Sequence, residues 1–170
     1  AGTGNKYLGN VTYIRTGAGV IVGAGDIVEI SGNLTLNSTD GIGLGKIKFN
    51  GSTNSVIEQL ATQPVQIAEL IADKTAGSSI TLNDSVGINT STGFINGIIN
   101  SSTTKELIFL DNAGYTGASN TSFVNGPCKK MGNDAFVFPV GKINTLAPIS
   151  IGAPLITTNV FSAEYFMNVP

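Results

Sequence analysis

Short apolar runs alternate with polar residues along most of this chain, and a polar cap, usually Asn, closes each run. In Ser79-Ile80-Thr81-Leu82-Asn83-Asp84-Ser85-Val86-Gly87-Ile88-Asn89, Ile80 and Leu82 share one face of a strand, and Val86 and Ile88 share one face of the next. Asn83, Asp84 and Ser85 lie between them, where polar residues favour a bend. The same phrase recurs at Asn33-Leu34-Thr35-Leu36-Asn37, Lys46-Ile47-Lys48-Phe49-Asn50, Asn96-Gly97-Ile98-Ile99-Asn100 and Leu107-Ile108-Phe109-Leu110-Asp111.

These runs sort into two interleaved families. One comprises Ile27 to Ile30, Ile47 to Phe49, Leu70 to Ala72, Val86 to Ile88 and Ile108 to Leu110. The other comprises Leu34 to Leu36, Val56 to Ile57, Ile80 to Leu82 and Ile98 to Ile99. Within each family the spacing is loose, roughly 16–24 residues, which is the range of a coiled β-solenoid. One coil is too small to bury its apolar face, but stacked coils share a core, and Asn and Gly suit the corners. Ahead of these families, Val11 to Ile14 and Val20 to Val22 read as strands. Ile67 to Lys74 also fits a helical turn or two, whereas Pro64, the β-branched residues and the repeat spacing favour a strand.

After Tyr115 the composition shifts to a Gly/Ser/Thr/Asn loop. Aromatic strands follow, with Phe136 and Phe138 on one face, and then Pro148 to Ile151 and Val160 to Phe166. The expected fold is all-β: a right-handed parallel β-helix over residues 1–115, followed by a β-sandwich-like segment over residues 116–170 that is expected to be incomplete.

Composition narrows the chemistry. Only 12% of the 170 residues are charged, about half the usual share. The net charge is −2, Arg15 is the sole arginine, and Lys129-Lys130 is the sole basic pair, read as a solvated loop. No nucleic-acid partner is expected from this. No apolar run approaches ~18 residues, so no membrane insertion is expected. Histidine is absent and Cys128 is the lone cysteine. This leaves no Ser-His-Asp or Cys-His machinery, no intrachain disulfide and no cysteine zinc site. Cys128 itself reads as a loop cysteine with no base to activate it.

Carboxylates remain. Glu29 and Glu69 would stack on one face if they occupy matching strand positions, and Asp84 and Asp111 would do so at corners. Such pairs could support glycan cleavage, but solvated faces and corner hydrogen bonds account for them more simply. The glycine runs from Gly17 to Gly25 and Gly41 to Gly45 lack the Lys-Ser/Thr ending of a phosphate loop, and no calcium-loop pattern occurs. No catalytic, cofactor-binding or metal site is expected, and the chain is not read as an enzyme.

Several blocks, taken in order, resemble a known family. They are Thr92-Gly93-Phe94-Ile95-Asn96-Gly97-Ile98-Ile99-Asn100, Ser122-Phe123-Val124-Asn125-Gly126-Pro127, Phe136-Val137-Phe138-Pro139-Val140-Gly141-Lys142, Ala147-Pro148-Ile149-Ser150-Ile151 and Phe161-Ser162-Ala163-Glu164-Tyr165-Phe166. Together with the Asn-capped strands they resemble the large repetitive surface proteins that Bacteroidota secrete through the type IX route. The resemblance implies an extracellular or cell-surface location and a structural or adhesive role as a repeat or filament subunit. It also implies a sorting domain further C-terminal or already cleaved away. Expected partners are other copies, neighbouring domains of the same protein, or surface glycans. Within Asp84-Ser85-Val86 the resemblance implies an O-linked glycan on Ser85. The alternative function is a carbohydrate-binding or glycan-processing β-helix.

Overall fold

A computed structural model describes residues 6–15, 26–38, 42–62, 64–75 and 77–167. Val20 to Val22 lies outside them. The described residues form strands and no helix, and none of their segments is a helix able to cross a membrane.

Two parallel ladders run the length of the molecule. The first stacks β1 (Lys6–Leu8), β3 (Ile27–Ile30), β5 (Ile42–Phe49), β7 (Val65–Asp73), β9 (Val86–Asn96), β11 (Leu107–Phe109) and β14 (Cys128–Met131). The second stacks β2 (Val11–Arg15), β4 (Leu34–Ser38), β6 (Ser55–Gln59), β8 (Ser79–Leu82), β10 (Ile98–Asn100), β13 (Val124–Asn125) and β16 (Val140–Lys142). This is a parallel β-solenoid, and the two families legible in the sequence are its two ladders. Paired residues are separated by as few as 16 positions, from Val124 to Val140, and by as many as 25, from Ser55 to Ile80. The variation falls in the corners, which absorb insertions without disturbing the strands.

The registers explain the core. Val65, Val86, Leu107 and Cys128 stand one above another in successive coils, as do Ile67, Ile88 and Phe109. Each is buried. Opposite them, Ile80, Ile99, Val124 and Val140 form a matching column. Apolar side chains recur at the inward positions of every coil, so stacking at about 4.8 Å removes them from water.

β7 settles the helical alternative. Val65 and Ile67 point inward, the phase slips at Ala68-Glu69, and Leu70 and Ala72 point inward again. The strand therefore bends while staying in the ladder, and a slip in an alternating pattern imitates helical spacing. Beyond it, β12 (Gly114–Thr116) pairs with the second half of β9.

The change of composition after Tyr115 is not a change of pairing. β13, β14 and β16 extend both parallel ladders. The antiparallel pairing expected of a sandwich-like segment is confined to the end. There β17 (Thr145–Leu146) joins β16, β18 (Ile149–Ile151) joins β15 (Phe136–Phe138), and β19 (Val160–Ala163) joins β14. Inside this end sit rings packed edge to face or tilted: the ring centroid of Phe109 lies 5.0 Å from that of Phe136, Phe136 5.1 Å from Phe138, and Phe94 5.7 Å from Tyr115. Aromatic volume fills the last coils where the aliphatic columns stop.

Candidate functional site

Three surfaces carry side chains with chemistry to offer: the outer face of the first ladder, the corner before β9, and the corner before β8 and β10.

On the outer face the acids meet lysines. Glu29 lies opposite Lys48, and Glu69 opposite Lys46. Lys46 Nζ is 2.7 Å from Glu69, and Lys48 Nζ is 2.8 Å from Asp73 and 3.7 Å from Glu29. Asn50 Nδ2 also donates to Glu29, at 2.9 Å. The hydrogen bond to Asp73 raises the Lys48 pKa above the ordinary lysine value against the pull of desolvation, and the Asp73 and Glu29 charges add to it. Glu29 and Glu69 are thus spaced by a strand of lysines rather than stacked on each other.

Asp84 and Asp111 are held at corners by hydrogen bonds. Asp84 accepts from Gln59 N at 2.8 Å and pairs with Lys105 at 3.0 Å. Asp111 accepts from Asn133 N at 3.3 Å and Asn112 Nδ2 at 3.1 Å. A glycosidase-like pair needs two carboxyls facing one cleft. Each of these four acids instead serves a lysine, an amide or a backbone N–H. Among the described residues no group of three or more acid or cysteine side chains could hold a metal ion.

Ser85 lies at the corner between β8 and β9, half-exposed, and its Oγ accepts a hydrogen bond from Glu106 N at 3.1 Å. It borders a cavity of about 290 Å³ shared with Thr62, Pro64, Asp84, Thr104 and Lys105. The neighbouring corner is larger. A cavity of about 560 Å³ runs past Gly77 and Ser79 before and on β8, past Asn96, Gly97 and Ile98 between β9 and β10, and past Asn120 and Asn144.

Two buried lysines escape a reading of the sequence. Lys74 is 1% exposed and turns its Nζ to Asn50 O, to Ser55 Oγ at 2.9 Å and to Ser31 O at 3.5 Å. Burial pushes its pKa below the ordinary lysine value. Lys130 does not lie in a solvated loop. It belongs to β14, continues the Ile67–Ile88–Phe109 column, and is fully buried. Its Nζ donates to Leu110 O at 2.8 Å and Ala113 O at 3.1 Å, pairs with Asp134 at 2.8 Å, and sits 5.4 Å from the Phe136 ring centroid. Lys130, and then the Asn112 N–H, hold the Asp134 carboxyl below the usual range. The available signal was parity: Lys74 follows Leu70 and Ala72 in alternate steps, and Lys130 follows Cys128.

Cys128 likewise lies in a strand rather than a loop. Burial first, and then the Glu106 charge, push its thiol far above the ordinary value. It is a packing residue.

Large apolar side chains lie exposed on the segment that closes the C-terminal end: Leu155 is 97% exposed, Ile143 and Phe166 are each 68%, and Ile149, Ile156 and Val160 are also exposed.

Compared with protein-family models, curated proteins and solved structures, the chain has no match in any of the three.

Proposed function

We propose that this protein is a structural module of an extracellular or cell-surface assembly. Its solenoid supplies a stiff, weakly charged surface, and its C-terminal end docks onto a neighbouring copy or domain. The apolar side chains on that end carry the reading. Ile143, Leu155, Ile156 and Phe166 are exposed while the columns inside the coil are sealed, and apolar groups gathered on one surface mark contact sites. A solenoid end joined to another surface makes a contact that does not close on itself, which favours linear assemblies. The blocks resembling type IX-secreted Bacteroidota surface proteins favour the same location and an adhesive role.

Light scattering across a concentration series and negative-stain microscopy test this. The wild-type chain is expected to form end-to-end particles as concentration rises. A Leu155→Ser/Ile156→Ser/Phe166→Ser variant is expected to stay monomeric with an unchanged β-sheet circular dichroism spectrum. Wild-type chain that remains monomeric at every concentration overturns self-association through this end.

A further inference from the structure

We propose that the corner cavity before β8 and β10 is a binding groove for a neutral oligosaccharide. Its shape follows from the coil. Most of the lining comes from the same corner of three successive coils, Gly77 and Ser79, then Asn96, Gly97 and Ile98, then Asn120, and Asn144 joins it from the tip of the β16–β17 hairpin. At about 4.8 Å per coil, the two steps between these three coils give the shared corner a length of about 10 Å along the solenoid axis. Its volume, about 560 Å³, lies within the range of small-ligand sites.

Its chemistry selects the ligand class. No charged side chain lines it. Lys74, packed behind Gly97, is buried with its Nζ spent on Asn50 O and Ser55 Oγ. A phosphate or an acidic sugar would find no counter-charge. Amides are what the walls present. Asn96 Oδ1 accepts from its neighbour Gly97 N at 3.1 Å, and Asn120 Oδ1 accepts from Leu146 N at 2.9 Å. These bonds hold both amide planes while each Nδ2 donates to no described residue. Preset donors of this kind suit sugar hydroxyls, and fixing them in advance reduces the ordering cost of binding.

The floor is bare. Gly97 has φ +95°, and a Cβ there would stand 2.7 Å from Lys74 Cβ, so glycine is required for the corner to pack against Lys74. Ile98 adds an apolar strip for the C–H face of a sugar. The far wall is held under strain. Ile143, a β-branched residue, takes φ +58° at the tip of the β16–β17 hairpin, beside Asn144. Left-handed backbone is unfavourable for a β-branched residue, and strained residues gather at ligand sites. No aromatic ring lines the groove, so weak binding is expected, as suits a surface that engages many copies of a glycan at once.

Asn144 neighbours Ile143 of the docking segment, but the assembly variant changes Leu155, Ile156 and Phe166 whereas the groove variant changes Asn144, so failure of one reading is distinguishable from failure of the other. The test is titration of the ¹⁵N-labelled full chain with maltotriose, mannotriose and galactotriose in turn, and with trigalacturonate as the acidic comparison. At least one neutral trisaccharide is expected to shift the side-chain amide signals of Asn96, Asn120 and Asn144. Asn144→Ala, at an exposed position that leaves the fold untouched, is expected to weaken that binding about fivefold, the worth of one hydrogen bond. Asn89→Ala, outside the groove, is expected to leave it unchanged. The proposal fails if no neutral trisaccharide shifts these signals, if Asn144→Ala binds as wild type does, or if trigalacturonate binds more tightly than all three.

Discussion

Thr92 occupies a position that its neighbours reserve for aliphatic side chains. It continues the Ile47–Leu70 column, is fully buried, and its Oγ1 has no hydrogen-bond partner. A buried hydroxyl left unpaired costs about 1–3 kcal/mol. Thr92→Val keeps the shape and removes that cost, so urea unfolding is expected to show a gain of about 1 kcal/mol. A loss would mean that the hydroxyl is satisfied in solution. Asn125 is a second case of the same kind. It extends a ladder in which its Nδ2 donates to Asn100 at 2.9 Å, but the next residue in register is Gly141, which offers no side chain, and Asn125 Oδ1 is left buried and unpaired. Gly141 cannot be enlarged to complete the ladder, because a Cβ would stand 2.3 Å from Thr145 O. At Ser85, the half-exposed hydroxyl borders an open cavity, so a glycan has room to leave the corner. Intact mass of protein from its native source is expected to exceed the chain mass by whole sugar units, and Ser85→Ala to remove the excess; a mass equal to the bare chain rules the modification out.

At the level of elements, the corners decide which coils can stack. Asn10, Asn33 and Asn54 each turn Oδ1 toward the next coil, accepting from Asn33 N at 2.8 Å, Val56 N at 3.0 Å and Ser79 N at 3.0 Å. The asparagines that stand just before β2, β4 and β6 are therefore inter-coil ties, and they satisfy backbone groups that the corners would otherwise leave open. The Phe-Val-Asn-Gly-Pro block has a similar account. Phe123 and Val124 are buried, and Gly126 takes φ +126° where a Cβ would stand 2.4 Å from Ser101 O in the coil before it. Gly126→Ala is expected to lower unfolding stability by at least about 2 kcal/mol, through an unfavourable φ and a collision with backbone. Gly114→Ala, where a Cβ meets nothing within 4 Å, is expected to stay within about 0.5 kcal/mol of wild type. Thermal or urea unfolding of the two variants side by side checks both; equal effects would mean that the corner yields.

Across the whole molecule, the two ends differ. Both ladders begin with parallel strands, β1 and β2, and finish on antiparallel ones, β19 and β17. An antiparallel strand reverses the chain direction, so a further parallel coil cannot simply be added to that end. Such strands blunt an otherwise exposed edge. Leu60 and Ile95 are exposed singly on the coils, whereas the closing segment carries Ile143, Ile149, Leu155, Ile156, Val160 and Phe166, which is why the assembly proposal places contact there. The flanks hold the ion pairs of Lys46 and Lys48 and the uncharged groove. The two proposals are probed at different residues, Leu155, Ile156 and Phe166 for docking and Asn144 for the ligand, so the two experiments above read them separately.

The strand families, their membership in two ladders and the inward residues of each were legible in the sequence, because period-2 alternation is a local property and each coil repeats it. The bend in β7 imitated a helix only because its inward phase slips at Ala68-Glu69. Tertiary structure alone decided the rest. Lys74 and Lys130 look solvated along the chain, and only stacking places carbonyls from earlier coils around their amines. Cys128 reads as a loop residue until the register sets it above Leu107. The Gly/Ser/Thr/Asn loop after Tyr115 suggested a boundary, yet pairing depends on what the next strand offers its neighbour, and Val124, Lys130 and Val140 still match the coil. The groove was the least legible feature. Its lining spans residues 77 to 144, and no local pattern joins residues that meet only when coils stack corner over corner.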